Sequence, residues 1–148
     1  MTPTLYGRWQ TRLVLLGTFG LAITLGLMWH FGVVWAGFQT PGFWELPLLL
    51  GYVVLLGLAW DGIYQAIQRH RWDGDWPLVF GFAAGVVEGG TVFALFRLGW
   101  LPGTRFDDGD AWRFLAHYGL VFLVTYWWQI GPMRVISLRW RFHGGELT

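Results

Sequence analysis

The feature that most constrains this chain is a series of long stretches that carry almost no charge. From Leu13 to Trp44 there is no Asp, Glu, Lys or Arg at all. From Leu46 to Gln68 the only formal charge is Asp61, and from Pro77 to Phe96 it is Glu88. The stretch from Phe114 to Met133 has none. A helix crossing about 30 Å of hydrocarbon needs roughly 20 apolar residues. Each stretch reaches that length and is rich in Leu, Val, Phe, Gly and Ala. The pattern predicts four transmembrane helices, at about residues 13–38, 46–68, 77–96 and 114–133. The connections are short, which makes consecutive helices antiparallel neighbours. The expected fold is an all-α integral membrane protein, one domain over residues 1–148, arranged as an up-down four-helix bundle.

Composition agrees with that solvent. Hydrophobic residues make up 55% of the chain and charged residues 13%, against about 25% charged in ordinary soluble domains. Arg8 and Arg12 precede the first stretch, as in a secretory signal, but the stretch is longer than a signal's apolar region and no small-residue cleavage site follows. It is expected to be retained. There is no cysteine, which excludes disulfides, thiolate catalysis and covalent c-type haem attachment. All the basic residues are Arg, so no lysine can hold retinal or pyridoxal as a Schiff base. A net charge of +1 offers nothing to a nucleic acid.

Arginine placement predicts orientation. Arg8, Arg12, Arg69, Arg71, Arg134, Arg139 and Arg141 fall on one side, and Arg97, Arg105 and Arg113 on the other, diluted by Asp107, Asp108 and Asp110. By the excess of positive charge on the inner side, both termini are expected in the cytoplasm. The expected location is the bacterial inner membrane or a membrane derived from it. Trp9, Trp35, Trp44, Trp72, Trp76, Trp100, Trp112 and Trp140 cluster at span ends, where an indole meets both lipid and headgroup.

Carboxyls inside a membrane need a reason. Glu88 lies about 16 Å into the third span at ~1.5 Å per residue, near the midplane. It shares a helix face with Gly81, Gly85 and Gly89, a double G-x-x-x-G that lets a neighbouring backbone approach. The nearest basic residue in its own span is Arg97, about 13 Å away along the helix. Glu88 is therefore expected to be neutral and to donate a hydrogen bond to another helix, with a backbone carbonyl freed by close glycine packing, or a hydroxyl such as Thr24 or Thr125, as acceptor. Asp61 stands at the inner end of the second span, on one face with Gly57, Tyr64, Gln65 and Gln68. Gln129 falls at matching depth in the fourth span, so a Gln129–Asp61 bond is expected. The hairpin at residues 69–76 is the densest polar and aromatic cluster, with Asp75 positioned to cap the next helix. Gly131-Pro132 ends the last span, and the tail through Phe142 alternates Arg with apolar residues, as a strip lying along anionic headgroups does.

His30 and His117 fall in the outer leaflet, about 12 Å and 7 Å from the outer ends of their spans. Paired histidines can ligate a b-type haem, and a single one a chlorophyll magnesium. Asp107-Asp108-Gly109-Asp110 lacks the alternating spacing of a calcium loop and reads as a solvated turn. No nucleophile–base pair, zinc motif or phosphate loop occurs. The leading expectation is a non-catalytic membrane subunit that anchors, assembles or stabilises a larger membrane complex, with the bilayer and other membrane subunits as partners and no required cofactor. Two alternatives stand beside it. One is a haem- or chlorophyll-binding subunit using His30 or His117; the other is a proton or ion pathway centred on Glu88.

Overall fold

A computed structural model describes residues 3–30, 44–72, 76–105 and 110–147. Every regular element among the described residues is a helix, and no strand occurs among them. Helix α1 (Leu5–Leu15) passes through a π turn (Leu16–Gly20) into α2 (Leu21–Trp29), forming one rod. Helix α3 spans Glu45–Arg69, α4 Leu78–Arg97 and α5 Asp110–Ile130; two short helices follow, α6 (Pro132–Ile136) and α7 (Leu138–Phe142). The rod Leu5–Trp29 and α3 each have 25 residues and α4 has 20, and these three are long and apolar enough to cross a membrane.

Local chemistry sets the ends. The Thr4 hydroxyl accepts the Gly7 N–H at 3.0 Å and opens α1 eight residues earlier than the apolar pattern begins. This corrects the expected first span, whose described part starts at Leu5 and takes Arg8 and Arg12 into the helix; its far end lies outside the described residues. Helix α4 closes on Gly99 at φ +68°, where the Gly99 N–H reaches the Phe96 carbonyl and the Trp100 N–H the Leu95 carbonyl, each at 3.0 Å. That pair of bonds satisfies orphan carbonyls and needs the left-handed conformation that glycine adopts freely. The 73–75 segment with Asp75, and Asp107, Asp108 and Gly109, also lie outside the described residues.

The π turn decides what the rod presents inward. Arg12 and Thr24 would face about 120° apart on a regular helix at about 100° per residue. A π turn accommodates one extra residue, which brings the two faces to within about 20° of each other at the same ~100° per residue. Both side chains point into the bundle, Thr24 with no solvent exposure.

Contacts between neighbouring helices run in opposite chain directions. Along the rod and α3, Arg8 meets Gln68, Arg12 meets Asp61 and Gly20 meets Leu50. Along α4 and α5, Tyr126 reaches Leu78, Phe122 lies on Gly85, Tyr118 on Gly89 and Phe114 on Phe93 and Phe96. Leu49, Leu50, Val53, Val92, Phe96, Phe114 and Val121 form the core towards one end. A smaller cluster of Leu15, Met133 and Trp140 joins the C-terminal segment to α1.

The C-terminal segment is a strap. Trp140 is buried and its indole N–H donates to the Thr11 hydroxyl at 2.7 Å, while that hydroxyl donates to the Gly145 carbonyl at 3.2 Å. The Thr4 N–H reaches the Gly144 carbonyl at 2.8 Å and the Leu147 N–H reaches the Gln10 side chain at 2.7 Å. Gly144 and Gly145 take positive φ here, and a Cβ on Gly7 would collide with the Gly144 carbonyl. Val135, Ile136, Leu138 and Phe142 remain on the outer side of the strap.

Candidate functional site: a buried arginine between two carboxylates

Arg12 holds both acids of the long apolar helices. Its Nε and Nη2 donate to the two Asp61 oxygens at 2.8 and 2.9 Å. Its Nη1 and Nη2 donate to the two Glu88 oxygens at 2.8 and 3.0 Å. The side chains of Arg12, Asp61 and Glu88 are 16%, 6% and 8% exposed, so the triad is largely withdrawn from solvent. The planar guanidinium suits this arrangement because its fork can face one carboxylate along the Nε edge and a second along the Nη edge. One residue thereby ties together three helices.

Gly57 makes room for it. One turn before Asp61 on α3, its ideal Cβ would fall within the Arg12 guanidinium. Gly57 and Asp61 therefore act as one surface: the missing side chain admits the cation and the carboxylate fixes it.

The expectation for Glu88 fails here. A lone neutral carboxyl would donate a hydrogen bond, but both Glu88 oxygens accept from a group that has no acceptor to offer. Arg12 was assigned to the membrane boundary, whereas the early start of α1 carries it inward to face α3 and α4. The expected Gln129–Asp61 bond fails for the same reason: Asp61 commits both oxygens to Arg12, and Gln129 lines a cavity instead. Neither of the two threonines expected as acceptors is bonded to Glu88. Thr24 donates to Gly20, and Thr125 to the carbonyls of Val121 and Phe122.

Gly81, Gly85 and Gly89 lie against a ladder of rings on α5. A Cβ on Gly85 would strike Phe122 and one on Gly89 would strike Tyr118, while at Gly81 the Tyr126 ring would stand 3.6 Å away. The group that approaches this face is therefore an aromatic ring, not the neighbouring backbone expected from the spacing. The bared backbone of α4 also accepts hydrogen bonds: Tyr118 donates to the Gly85 carbonyl at 2.6 Å and Tyr126 to the Leu78 carbonyl at 3.0 Å.

His117 is buried, 2.8 Å from the Thr24 hydroxyl. The same hydroxyl lies 2.8 Å from the Gly20 carbonyl, so it bridges the imidazole and the backbone of the rod. His30 lies on the exposed side of the rod, six residues beyond Thr24, or about 9 Å along the axis at ~1.5 Å per residue. The two histidines are therefore not opposite one another, and the Nε2 of His117 is already engaged. No cluster of three or more His, Cys, Asp or Glu residues suited to a metal occurs among the described residues.

A cavity of about 200 Å³ opens beside the triad, bounded by α1, α3, α4, α5 and the strap. Asp61 and Glu88 form part of its floor, Tyr64 and Gln129 stand on its walls, and Arg8 and Arg134 complete its cationic lining. Tyr64 is fixed between Trp60 and Trp76, with ring centres 5.7 and 5.6 Å apart, and donates to the Ala84 carbonyl at 3.3 Å. Arg12, Arg8 and Arg134 were all counted as interfacial charges. What could have revealed Arg12 is charge balance, since two acids in neighbouring spans require a cation between them. Compared with models of known families, with curated proteins and with solved structures, this chain matches none.

Proposed function

We propose that the protein is a four-span integral membrane protein of antiparallel topology, with both termini in the cytoplasm, and that it serves as a non-catalytic subunit stabilising a larger assembly in a bacterial inner membrane. The observation that carries this reading is the Arg12–Asp61–Glu88 triad. The acids that would otherwise be candidates for chemistry have both oxygens engaged by one guanidinium, and they bind helices together. A scaffold needs such a cross-link. The outer surface supports the same reading: Trp29, Trp100, Trp127, Leu55, Val79 and Leu115 present large apolar side chains outward, suited to lipid or to the helices of another subunit. Purification in a mild detergent, followed by native mass spectrometry, tests it. Recovery in a complex of fixed stoichiometry is the expected outcome. A chain that is monomeric in its native membrane and carries no partner overturns the subunit reading.

One observation favours a second reading, a proton or ion pathway: the cavity reaches Glu88. Three arginines line the same cavity beside Asp61 and Glu88. Flux into liposomes that falls in Glu88→Gln while the protein remains folded would establish it over the scaffold reading.

A further inference from the structure

The charges around the cavity do not cancel. Arg8, Arg12 and Arg134 line it against Asp61 and Glu88, leaving one cation in excess. The Arg12–Asp61–Glu88 triad itself carries one net negative charge, and Arg8 and Arg134 together turn the lining to one net positive charge. Neither forms an ion pair among the described residues. The Nη2 of Arg8 donates to Gln68 at 2.7 Å, and its guanidinium lies 4.5 Å over the Trp76 ring centre. These contacts hold the group in place without neutralising it. In both Arg8 and Arg134 the Nε is sealed from solvent with no hydrogen-bond partner. An Nε so enclosed cannot meet a ligand in the cavity, so any contact made there falls to the Nη groups.

The two arginines come from opposite ends of the sequence, one on α1 and one on the strap, and both line the cavity. Its polar floor is continued by apolar walls at Leu15, Val53, Val121 and Ile130. About 200 Å³ exceeds what one or two water molecules fill, at about 30 Å³ each, and suits a small polar head better than a whole lipid. Guanidinium groups favour phosphate because their parallel N–H bonds match its oxygens.

We propose that this cavity is a binding site for a phosphate group, held between Arg8 and Arg134, supplied either by the head of an anionic lipid or by a free phosphate. The site lies on the side that the arginine distribution assigns to the cytoplasm, where anionic headgroups lie within reach. It stands whether or not the protein assembles with others.

Thermal unfolding of the detergent-purified protein tests the site, with short-chain phosphatidic acid, short-chain phosphatidylcholine and inorganic phosphate added separately at constant ionic strength. A ligand that binds only the folded state raises the midpoint in a saturable way. Phosphatidic acid is expected to do so, and phosphatidylcholine, whose head has no net charge, is expected to bind at least tenfold more weakly. Stabilisation by phosphatidic acid without an effect of inorganic phosphate assigns a lipid head; stabilisation by both assigns the phosphate itself. Arg8→Gln and Arg134→Gln should each weaken binding at least tenfold, and Arg139→Gln, on the exposed side of the strap, should leave it unchanged. Should Arg8→Gln fail to fold, Arg134→Gln decides, because α6 lies outside the long helices. No saturable effect of either phosphate ligand, equal binding of the two lipids, or unchanged affinity in Arg134→Gln overturns the proposal.

Discussion

At the scale of single residues, the energetics of Arg12 are those of a group that is costly to bury and more costly to leave unmatched. Desolvating three charges offsets much of their mutual attraction, so the intact triad contributes little net stability, whereas removing one member strands the others. Arg12→Leu is therefore expected to destabilise the protein by about 3–5 kcal/mol, read as a lowered unfolding midpoint in detergent. Replacing all three together, as Arg12→Met with Asp61→Leu and Glu88→Met, should recover most of that loss because no charge remains unpaired. A triple variant as unstable as Arg12→Leu would show that the triad acts by more than mutual neutralisation. Gly57 provides an independent check. A methyl group there meets the guanidinium itself, so Gly57→Ala, ordinarily favourable in a helix by ~0.5–1 kcal/mol, should destabilise instead. Combined with the triple variant its cost should shrink, and equal costs in the two backgrounds would argue against the contact.

At the scale of elements, α4 and α5 are joined by glycine against ring. Phe114, Tyr118, Phe122 and Tyr126 recur every four residues, with neighbouring ring centres 5.7, 6.1 and 5.6 Å apart, and the glycines of α4 accept them. Gly85→Leu should overpack this seam by about 1–3 kcal/mol or more, whereas Tyr118→Phe, which keeps the ring and loses one hydrogen bond to Gly85, should cost about 0.5–1.5 kcal/mol. A larger loss from Tyr118→Phe than from Gly85→Leu would mean that the hydrogen bond, and not the shape, holds the seam. Periodicity made the helices legible: the predicted 46–68 and 77–96 stretches differ from α3 and α4 by one residue at each end. The start of the first helix was not legible in that way, because its opening turns are polar and its signal is a single capping hydroxyl on Thr4. The strap was hidden for another reason. Its docking depends on Trp140 meeting Thr11 across nearly the whole sequence, and no local pattern encodes such a contact.

At the scale of the whole molecule, hydropathy picks out the long apolar stretches but places every arginine at a boundary. That rule serves for Arg69 and Arg139, which lie outside the bundle, and fails for Arg8 and Arg12, which enter it. The positive-inside count changes accordingly: if Arg8 and Arg12 are internal ligands of the bundle, they no longer serve as free cytoplasmic charge. Arg134 lines the same cavity as Arg8 and Arg12, so Arg69, Arg71, Arg139 and Arg141 remain on that side, against Arg97, Arg105 and Arg113 on the other. The bias survives but narrows, and the three opposing arginines share their side with several acids. The contact pattern requires the N-terminal end of the rod, the 69–76 hairpin and the strap to share one side, since Thr4 bonds to Gly144 and Arg8 to Gln68. Topology is thus a single two-way choice for the whole bundle, and the proposed orientation rests on the arginine bias. A reporter active only in the cytoplasm should work when fused after Thr148 and also when inserted in the hairpin at Trp72, which is almost fully exposed. Opposite results at the two positions would contradict the helix pairing itself, whereas activity of both only on the outer side would invert the bundle and leave its internal contacts intact.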